Sequence, residues 1–233
     1  MKTDSALRAI VDTRMQIQKT RLAYGNRVNA LMDGSDKGGA AQMETAIKWY
    51  KHFLQTEEGL DKDITAAVRD YPIFPHIVAV HGIGPLFAAK LIAMIDISRS
   101  PTTSSLWRFA GYAVIDGERE RPTKGVKLSY NVKLKSTCYN IGVSFLRSGS
   151  PYRKLYDTKK EFYQNTAVDS DDKKWTDLHC HYAAIRYMNK RFLAHLWLVW
   201  RTIEGLDTRA PYVQEKLGHT HIDTPQDYGW PEF

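Results

Sequence analysis

The chain has 233 residues, of which 43% are hydrophobic and 25% charged, and its formal net charge is +7. A chain of this size can bury a large core in one or two domains, and its positive charge favours an acidic partner such as nucleic acid. Two cysteines without a CxxC motif exclude a disulfide framework, and the lack of a recognisable signal peptide or membrane span predicts a cytoplasmic protein.

Residues 1–70 are predicted to form an antiparallel helical hairpin of the coiled-coil type. In its first helix, positions that step by three and four share one face: Leu7, Ile10, Arg14, Ile17, Arg21, Tyr24, Val28 and Leu31. Because Arg14 and Arg21 interrupt this apolar stripe, we expect either an imperfect seam or arginines that snorkel outward. A Gly- and Asp-rich loop precedes the second helix, whose stripe is Met43, Ile47, Tyr50, Leu54, Leu60, Ile64 and Val68. The hairpin is either an ordinary intramolecular one or an arm for homodimerisation.

The most informative motif is the run Val80-His81-Gly82-Ile83-Gly84-Pro85, which opens onto an Ala- and Leu-rich stretch that ends at Ile95. Glycines permit positive φ angles and close approach, and proline is favoured in the first turn of a helix. Such a turn presents bare backbone N–H groups that can hold a phosphate. The pattern predicts a helix-hairpin-helix, with Lys90 pointing outward toward a phosphate. The alternative is a tight turn between core helices.

A basic helix is predicted after this motif. Residues 126–135 alternate apolar and basic or polar side chains, which suggests a strand, but the apolar positions up to Phe145 also share a helix face, and we predict a helix over 131–146. Between residues 116 and 160 there are eleven Lys or Arg residues against four Asp or Glu. This excess is either a solvated face or a contact surface for DNA formed by Lys124, Lys127, Lys133, Lys135 and Arg147.

The last third contains aromatic and basic side chains between residues 152 and 163, which either stack on bases or pack inward. A long apolar stripe predicts a core helix over 177–204, followed by a tail that wraps over the body. Two His-x-His pairs and a cysteine are weak candidates for a zinc site: His179, Cys180, His181, His219 and His221. Helix caps and tail hydrogen bonds are the alternative, and no cofactor is predicted.

Residues 71–165 resemble the C-terminal domain of the IS-one-ten and IS-one-sixteen group of insertion-sequence transposases. The resemblance rests on the Gly-Ile-Gly-Pro turn and on the order and spacing of three later stretches: Leu91-Ile92-Ala93, Ile95-Asp96-Ile97-Ser98-Arg99 and Leu106-Trp107-Arg108-Phe109-Ala110-Gly111-Tyr112. A coiled-coil hairpin commonly precedes this domain in the family, as residues 1–70 do in this chain. The resemblance implies DNA binding and a helical fold.

The chain departs from the family in two respects that concern catalysis. Family recombinases carry a RuvC-like domain whose four acidic residues hold Mg²⁺, and these 233 residues contain no such domain. They also use a serine in a Ser-Gly run before the basic helix, where this chain has no serine. Ser129 and Thr123 lie nearby without matching that position. Ser129 is therefore a weak candidate nucleophile, and a hydroxyl at a helix start is the alternative.

The sequence thus predicts a mostly α-helical protein with a coiled-coil hairpin (1–70), a helix-hairpin-helix domain (71–165) and a C-terminal helix with a wrapping tail (166–233). The expected partner is DNA, with structured or branched DNA as one form it can take, and the expected contacts are Gly82, Ile83, Gly84, Lys90, Lys124, Lys127, Lys133, Lys135 and Arg147. Three functions are open. They are a non-catalytic DNA-binding protein related to transposases, a recombinase component that works with a separate RuvC-like subunit, and an assembly or adaptor protein.

Overall fold

The computed structural model describes residues 4–114, 120, 123–169, 171–208 and 223–233. Within these ranges the chain is mostly helical, with no β-strand, and the predicted all-α fold class is confirmed. Its α-helices are α1 (Ser5–Met32), α2 (Ala40–Ala67), α3 (Phe74–Ala79), α4 (Pro85–Met94), α5 (Thr103–Phe109), α6 (Val132–Ser148), α7 (Arg153–Thr166) and α8 (Asp177–Ile203). Two short 3₁₀ helices follow α4 and lie near the C-terminus, over Ile97–Arg99 and Pro225–Tyr228.

Helices α1 and α2 pack side by side and run in opposite directions. Arg14 of α1 contacts Glu57 and Asp61 of α2, at 2.7 and 2.6 Å, whereas Arg27 contacts Asp36 in the loop between the helices. Residues late in α1 therefore contact the loop before α2, and residues earlier in α1 contact later positions of α2, as in an antiparallel pair. We call α1 and α2 together the helical pair.

The arginines in the apolar stripe of α1 do not snorkel outward. Arg14 is 6% exposed and Glu57 is 4% exposed, and Arg21 also pairs with Glu57, at 2.6 Å. The seam of the helical pair thus contains a buried charge network in place of an unbroken apolar stripe. A buried arginine is tolerated at this position because a carboxylate on the facing helix neutralises it.

Helix α8 passes through the centre of one hydrophobic core that extends from Leu7 to Trp230. Met188, Phe192 and Leu196 of α8 are fully buried in it, and α8 packs against α5, α6 and α7. The predicted segments 71–165 and 166–233 therefore share this core. The side chain of Thr176 caps the start of α8 by accepting a hydrogen bond from the N–H of His179, close to the predicted start of this helix.

The C-terminal end of α8 holds the chain that leaves α4. Trp197 Nε1 donates to the carbonyl of Ser100 at 2.8 Å, and the guanidinium of Arg201 donates to the carbonyls of Ile97 and Ser100, both at 3.2 Å. These bonds fix the exit of α4 against the core, so α4 and the turn before it have a rigid support. In the described ranges, no helix has both the length and the apolar character that a membrane span requires.

Candidate nucleic-acid interface

The Gly82 turn, which we define as residues 81–84, joins α3 to α4. The N–H of Ile83 donates to the carbonyl of Val80 at 3.0 Å, and the Ile83 side chain is buried. Gly82 has φ of +100°, whereas Gly84 has φ of −90°. Only Gly82 therefore requires the left-handed conformation that favours glycine.

Gly82 faces the protein interior. Ser144 Oγ of α6 donates to the Gly82 carbonyl at 2.7 Å. A Cβ atom added to Gly82 would lie 2.7 Å from Ser148 Oγ and 3.1 Å from the ring of Phe145. This glycine permits close packing of the turn on α6.

Gly84 faces solvent at the start of α4. A Cβ atom added to it would meet no atom within 4 Å. The carbonyl of Gly84 accepts hydrogen bonds from the N–H groups of Phe87 and Ala88, while those of Gly84 and Leu86 donate to no acceptor in the described residues. Two N–H groups thus remain at the positive end of a ten-residue helix, where an anion can approach.

Lys90 lies on the side of α4 that faces the helical pair, and it does not point outward as the sequence suggested. It is half-buried, and its nearest charges are those of Arg14, Asp61 and Glu57. Burial, and after it the positive charge of Arg14, lower the pKa of Lys90. The outward position was wrong because α1 and α2 cover this face of α4, and no local pattern indicates that.

The basic residues of α6 are divided between its two ends. Lys133 pairs with Asp12 of α1 at 2.7 Å, and Lys135 lies over the ring of Tyr130, with its Nζ 4.2 Å from the ring centroid. Arg147 is exposed at the other end, and the residue after it, Ser148, has its Oγ near Gly82. With a rise of 1.5 Å per residue, about 20 Å separates the two ends.

The segment before α6 carries two further cations. Lys124 and Lys127 are both exposed. In the sequence they precede Lys135, which lies near the start of α6, whereas Arg147 lies in its last turn. The predicted cations of α6 therefore lie at its two ends.

Ser129 belongs to a different cluster. Its N–H donates to the Glu120 carboxylate at 2.7 Å, and its Oγ also donates to that carboxylate. These hydrogen bonds lower the pKa of Glu120. Arg108 and Tyr130 line the same shallow cleft. A carboxylate with a lowered pKa is a weak base, so the pair orients Ser129 better than it activates it.

The described histidines among the candidate zinc ligands contact different residues. His179 stacks on Trp175, with ring centroids 4.0 Å apart, and His181 Nδ1 shares a 2.6 Å hydrogen bond with Tyr156. His219 and His221 lie outside the described residues. Among those that are described, no three His, Cys, Asp or Glu side chains come together in a way that could hold a metal ion.

A buried hydrogen-bond relay between α7, α8 and the C-terminus was missed by the sequence analysis. Trp230 Nε1 donates to the Tyr152 hydroxyl at 2.8 Å, and that hydroxyl lies 2.6 Å from His195 Nδ1. Burial raises the pKa of Tyr152, so its phenol stays protonated, and it can donate to His195 Nδ1 when the imidazole carries its proton on Nε2. The only signals in the sequence were a histidine within an apolar stripe and aromatic residues in the tail.

Because His195 is buried, we expect the protein to lose stability as the pH falls. Burial, and after it the charge of Arg191, lower the pKa of His195 from 6.5 to about 4. The unfolded chain therefore takes up a proton at this residue as the pH falls below 6.5, while the folded chain does not until about pH 4. We expect this residue to remove about 3 kcal/mol from the free energy of unfolding across that window.

Urea unfolding of the wild type and of His195→Asn between pH 4.5 and 7.5 measures this effect. Asparagine keeps an acceptor near the position of Nδ1 and cannot titrate, so the variant should be the less acid-sensitive protein. Because both proteins share every other titrating group, the difference between their profiles belongs to His195. Parallel profiles would show that His195 is not held neutral in the fold.

Models of known protein families, curated proteins and solved structures give no match to this chain.

Proposed function

We propose that this chain binds DNA through the sugar-phosphate backbone, with the Gly82 turn and the start of α4 acting as a helix-hairpin-helix, and that it does so without catalysis of its own. The observation that carries the proposal is the pair of unused N–H groups of Gly84 and Leu86, which open to solvent at a helix N-terminus. A net charge of +7 supports an anionic partner.

The two groups of cations support a contact longer than one phosphate. Arg147 is exposed in the last turn of α6, which packs against the Gly82 turn through Ser144 and Phe145, and Lys135 lies at the other end of α6, about 20 Å away. At about 3.4 Å per base pair, this length corresponds to roughly six base pairs of duplex. Contacts of this kind neutralise phosphates without reading bases, so the binding is expected to be sensitive to salt and weakly specific for sequence.

A single substitution tests the phosphate site. Asp is a favoured N-cap residue, so Gly84→Asp should preserve the fold while its carboxylate accepts from the N–H of Leu86 and places a negative charge beside the N–H of residue 84. We expect duplex DNA to bind at least about tenfold more weakly, since an occupied and negatively charged site loses one charge-assisted contact. Fluorescence anisotropy of a labelled duplex measures the affinity.

The matched control for this test is Gly59→Asp. Gly59 lies on the exposed face of α2, and a Cβ atom added there also meets no atom within 4 Å, so the substitution makes the same change in net charge. DNA affinity should remain close to that of the wild type. If Gly84→Asp binds DNA as well as Gly59→Asp does, the Gly82 turn is not the phosphate site.

The salt dependence of binding tests the cations. Between about 50 and 200 mM salt, the slope of log K against log salt reports the number of neutralised phosphates. We expect Arg147→Gln to reduce that slope by about 1. Lys133→Gln should leave it unchanged, because Lys133 already pairs with Asp12. Equal changes in both variants would mean that the structure does not determine which cations meet DNA.

A second candidate function is that of a recombinase component that works with a separate RuvC-like subunit. The observation that favours it is the Ser129 hydroxyl, which donates to Glu120 in a cleft beside Arg108. In this case the purified protein with Mg²⁺ should cleave or join supercoiled DNA, and Ser129→Ala should abolish that activity. If the variant retains the activity in full, Ser129 is not the nucleophile.

If the protein is instead an adaptor that has lost DNA binding, the wild type would bind duplex DNA no better than Gly84→Asp does.

A further inference from the structure

The C-terminal segment, residues 223–233, is held on the helical body by side chains. We call it the strap. Its backbone hydrogen bonds among the described residues are internal, as in the bonds from Asp227 to Thr224 and from Trp230 to Pro225. Tyr228 and Trp230 are both buried. Because it makes no backbone-to-backbone hydrogen bond to a helix in the described ranges, the strap is a unit that can detach while the helices remain folded, and detachment exposes the side chains of Tyr228 and Trp230.

Tyr152 is the anchor of the strap. Its hydroxyl accepts from Trp230 and shares a hydrogen bond with His195, and its ring stacks on that of Tyr228, with centroids 4.6 Å apart. Detachment would remove the hydrogen-bond donor from the phenolic oxygen and expose one side of the ring. Tyr152 thus has two different environments, one with the strap attached and one with it detached.

One further ring connects this anchor to the Gly82 turn. Phe145 of α6 stacks on Tyr152, with centroids 4.8 Å apart and an interplanar angle of 15°. On the opposite side, Phe145 lies against Gly82, and the neighbouring Ser144 bonds the Gly82 carbonyl. The strap therefore supports the turn through Tyr152 and Phe145, in a continuous series of van der Waals contacts.

We propose that the attached strap holds the Gly82 turn in the conformation that binds phosphate, so that attachment and detachment of the strap regulate the affinity for DNA. This inference rests on the proposed function, because it assigns regulation to the same phosphate site. The element with two states is the strap itself, and the relay from Trp230 through Tyr152 to His195 determines how firmly it is attached. A physical account of coupling requires such an element between the two sites.

The coupling can be measured without DNA. The Ile83 amide donates within the turn, so its hydrogen exchange reports how often the turn opens. Trp230→Phe removes one hydrogen bond of the relay and Tyr152→Phe removes both, while each keeps an aromatic ring. In both variants we expect exchange at Ile83 to be at least about tenfold faster, the change that the loss of one hydrogen bond produces. Phe233→Ala, at an exposed position of the same strap, should leave the exchange unchanged.

A second amide separates this effect from general destabilisation. The Val68 amide donates to Ile64 at the end of α2, remote from the strap in the sequence. Its exchange should stay the same in every variant if only the strap and the turn are affected. His195→Leu should accelerate exchange at Ile83, and His195→Asn, which keeps an acceptor for Tyr152, should restore slow exchange.

DNA affinity distinguishes failure of this inference from failure of the proposed function. We expect Tyr152→Phe and Trp230→Phe to bind duplex several-fold more weakly than Phe233→Ala does. Unchanged exchange at Ile83, or equal exchange increases at Ile83 and Val68, would overturn the coupling. If Gly84→Asp lowers the affinity while the strap variants bind normally, the regulation is wrong and the phosphate site stands. If Gly84→Asp binds normally, the proposed function fails, and exchange at Ile83 still decides whether the strap supports the turn.

Discussion

Replacing Glu57 with alanine is expected to lower the free energy of unfolding by about 3–5 kcal/mol. Glu57 is the buried carboxylate between Arg14 and Arg21, and its removal leaves two arginines close together in the seam of the helical pair. Asp61 remains to pair with Arg14, but Lys90 adds a third positive charge nearby. One carboxylate cannot pair with three cations in a partly buried region, and the expected loss of stability is therefore large.

Urea unfolding measures this loss, and Glu58→Ala is the matched control. Glu58 is the next residue of α2 and is exposed, so its removal should change the stability by less than about 0.5 kcal/mol. Equal effects of the two substitutions would mean that the charge network contributes no specific stability. The double variant Arg14→Met with Glu57→Leu should recover part of the loss, because an apolar pair of similar volume replaces the two most buried charges while Arg21 still loses its partner.

Gly82→Val is expected to lower the free energy of unfolding by about 4 kcal/mol. The residue has φ of +100°, which a β-branched side chain rarely adopts. Its new Cβ would also lie 3.1 Å from the ring of Phe145 and 2.7 Å from Ser148 Oγ, both on the buried face of the turn. Backbone strain and overpacking therefore act together at this position.

Gly84→Val is the matched control for Gly82→Val. It places the same side chain two residues later, at φ of −90° and in open space, and should cost less than about 1 kcal/mol. Thermal unfolding distinguishes the two variants. Similar losses would show that the glycines are equivalent and that the packing on α6 does not determine the conformation of the turn. The same contrast makes Gly84 the position at which DNA binding can be tested in a folded protein.

The helices were largely predictable from the sequence because their signals are local. The apolar spacing of α1 and α2 and the Gly-Pro start of α4 each follow from side-chain periodicity or capping within one or two turns. The prediction for the basic helix was 131–146, and α6 spans Val132–Ser148. Its alternation also permitted a strand, and helix was the better choice because the apolar face continues to Phe145.

The orientation of charged residues could not be predicted in the same way. Lys90 looked exposed within its own helix, and Arg14 looked like an interruption of its stripe. In the structure, α1 and α2 cover Lys90, and Glu57 on the facing helix accommodates Arg14. Both outcomes depend on residues at least 29 positions away in the chain, and the spacing of residues within one helix contains no information about them.

The sequence by itself determined the helical class, the approximate bounds of the main helices and the position of the Gly-Ile-Gly turn, because propensity, periodicity and capping act between near neighbours. Only the tertiary structure decided that Gly82 packs inward while Gly84 stays open, and that Tyr152, His195 and Trp230 form one relay. These features arise where α4, α6, α8 and the C-terminus meet. Their physical reason is the competition for buried space and hydrogen-bond partners, which is settled when distant segments pack together.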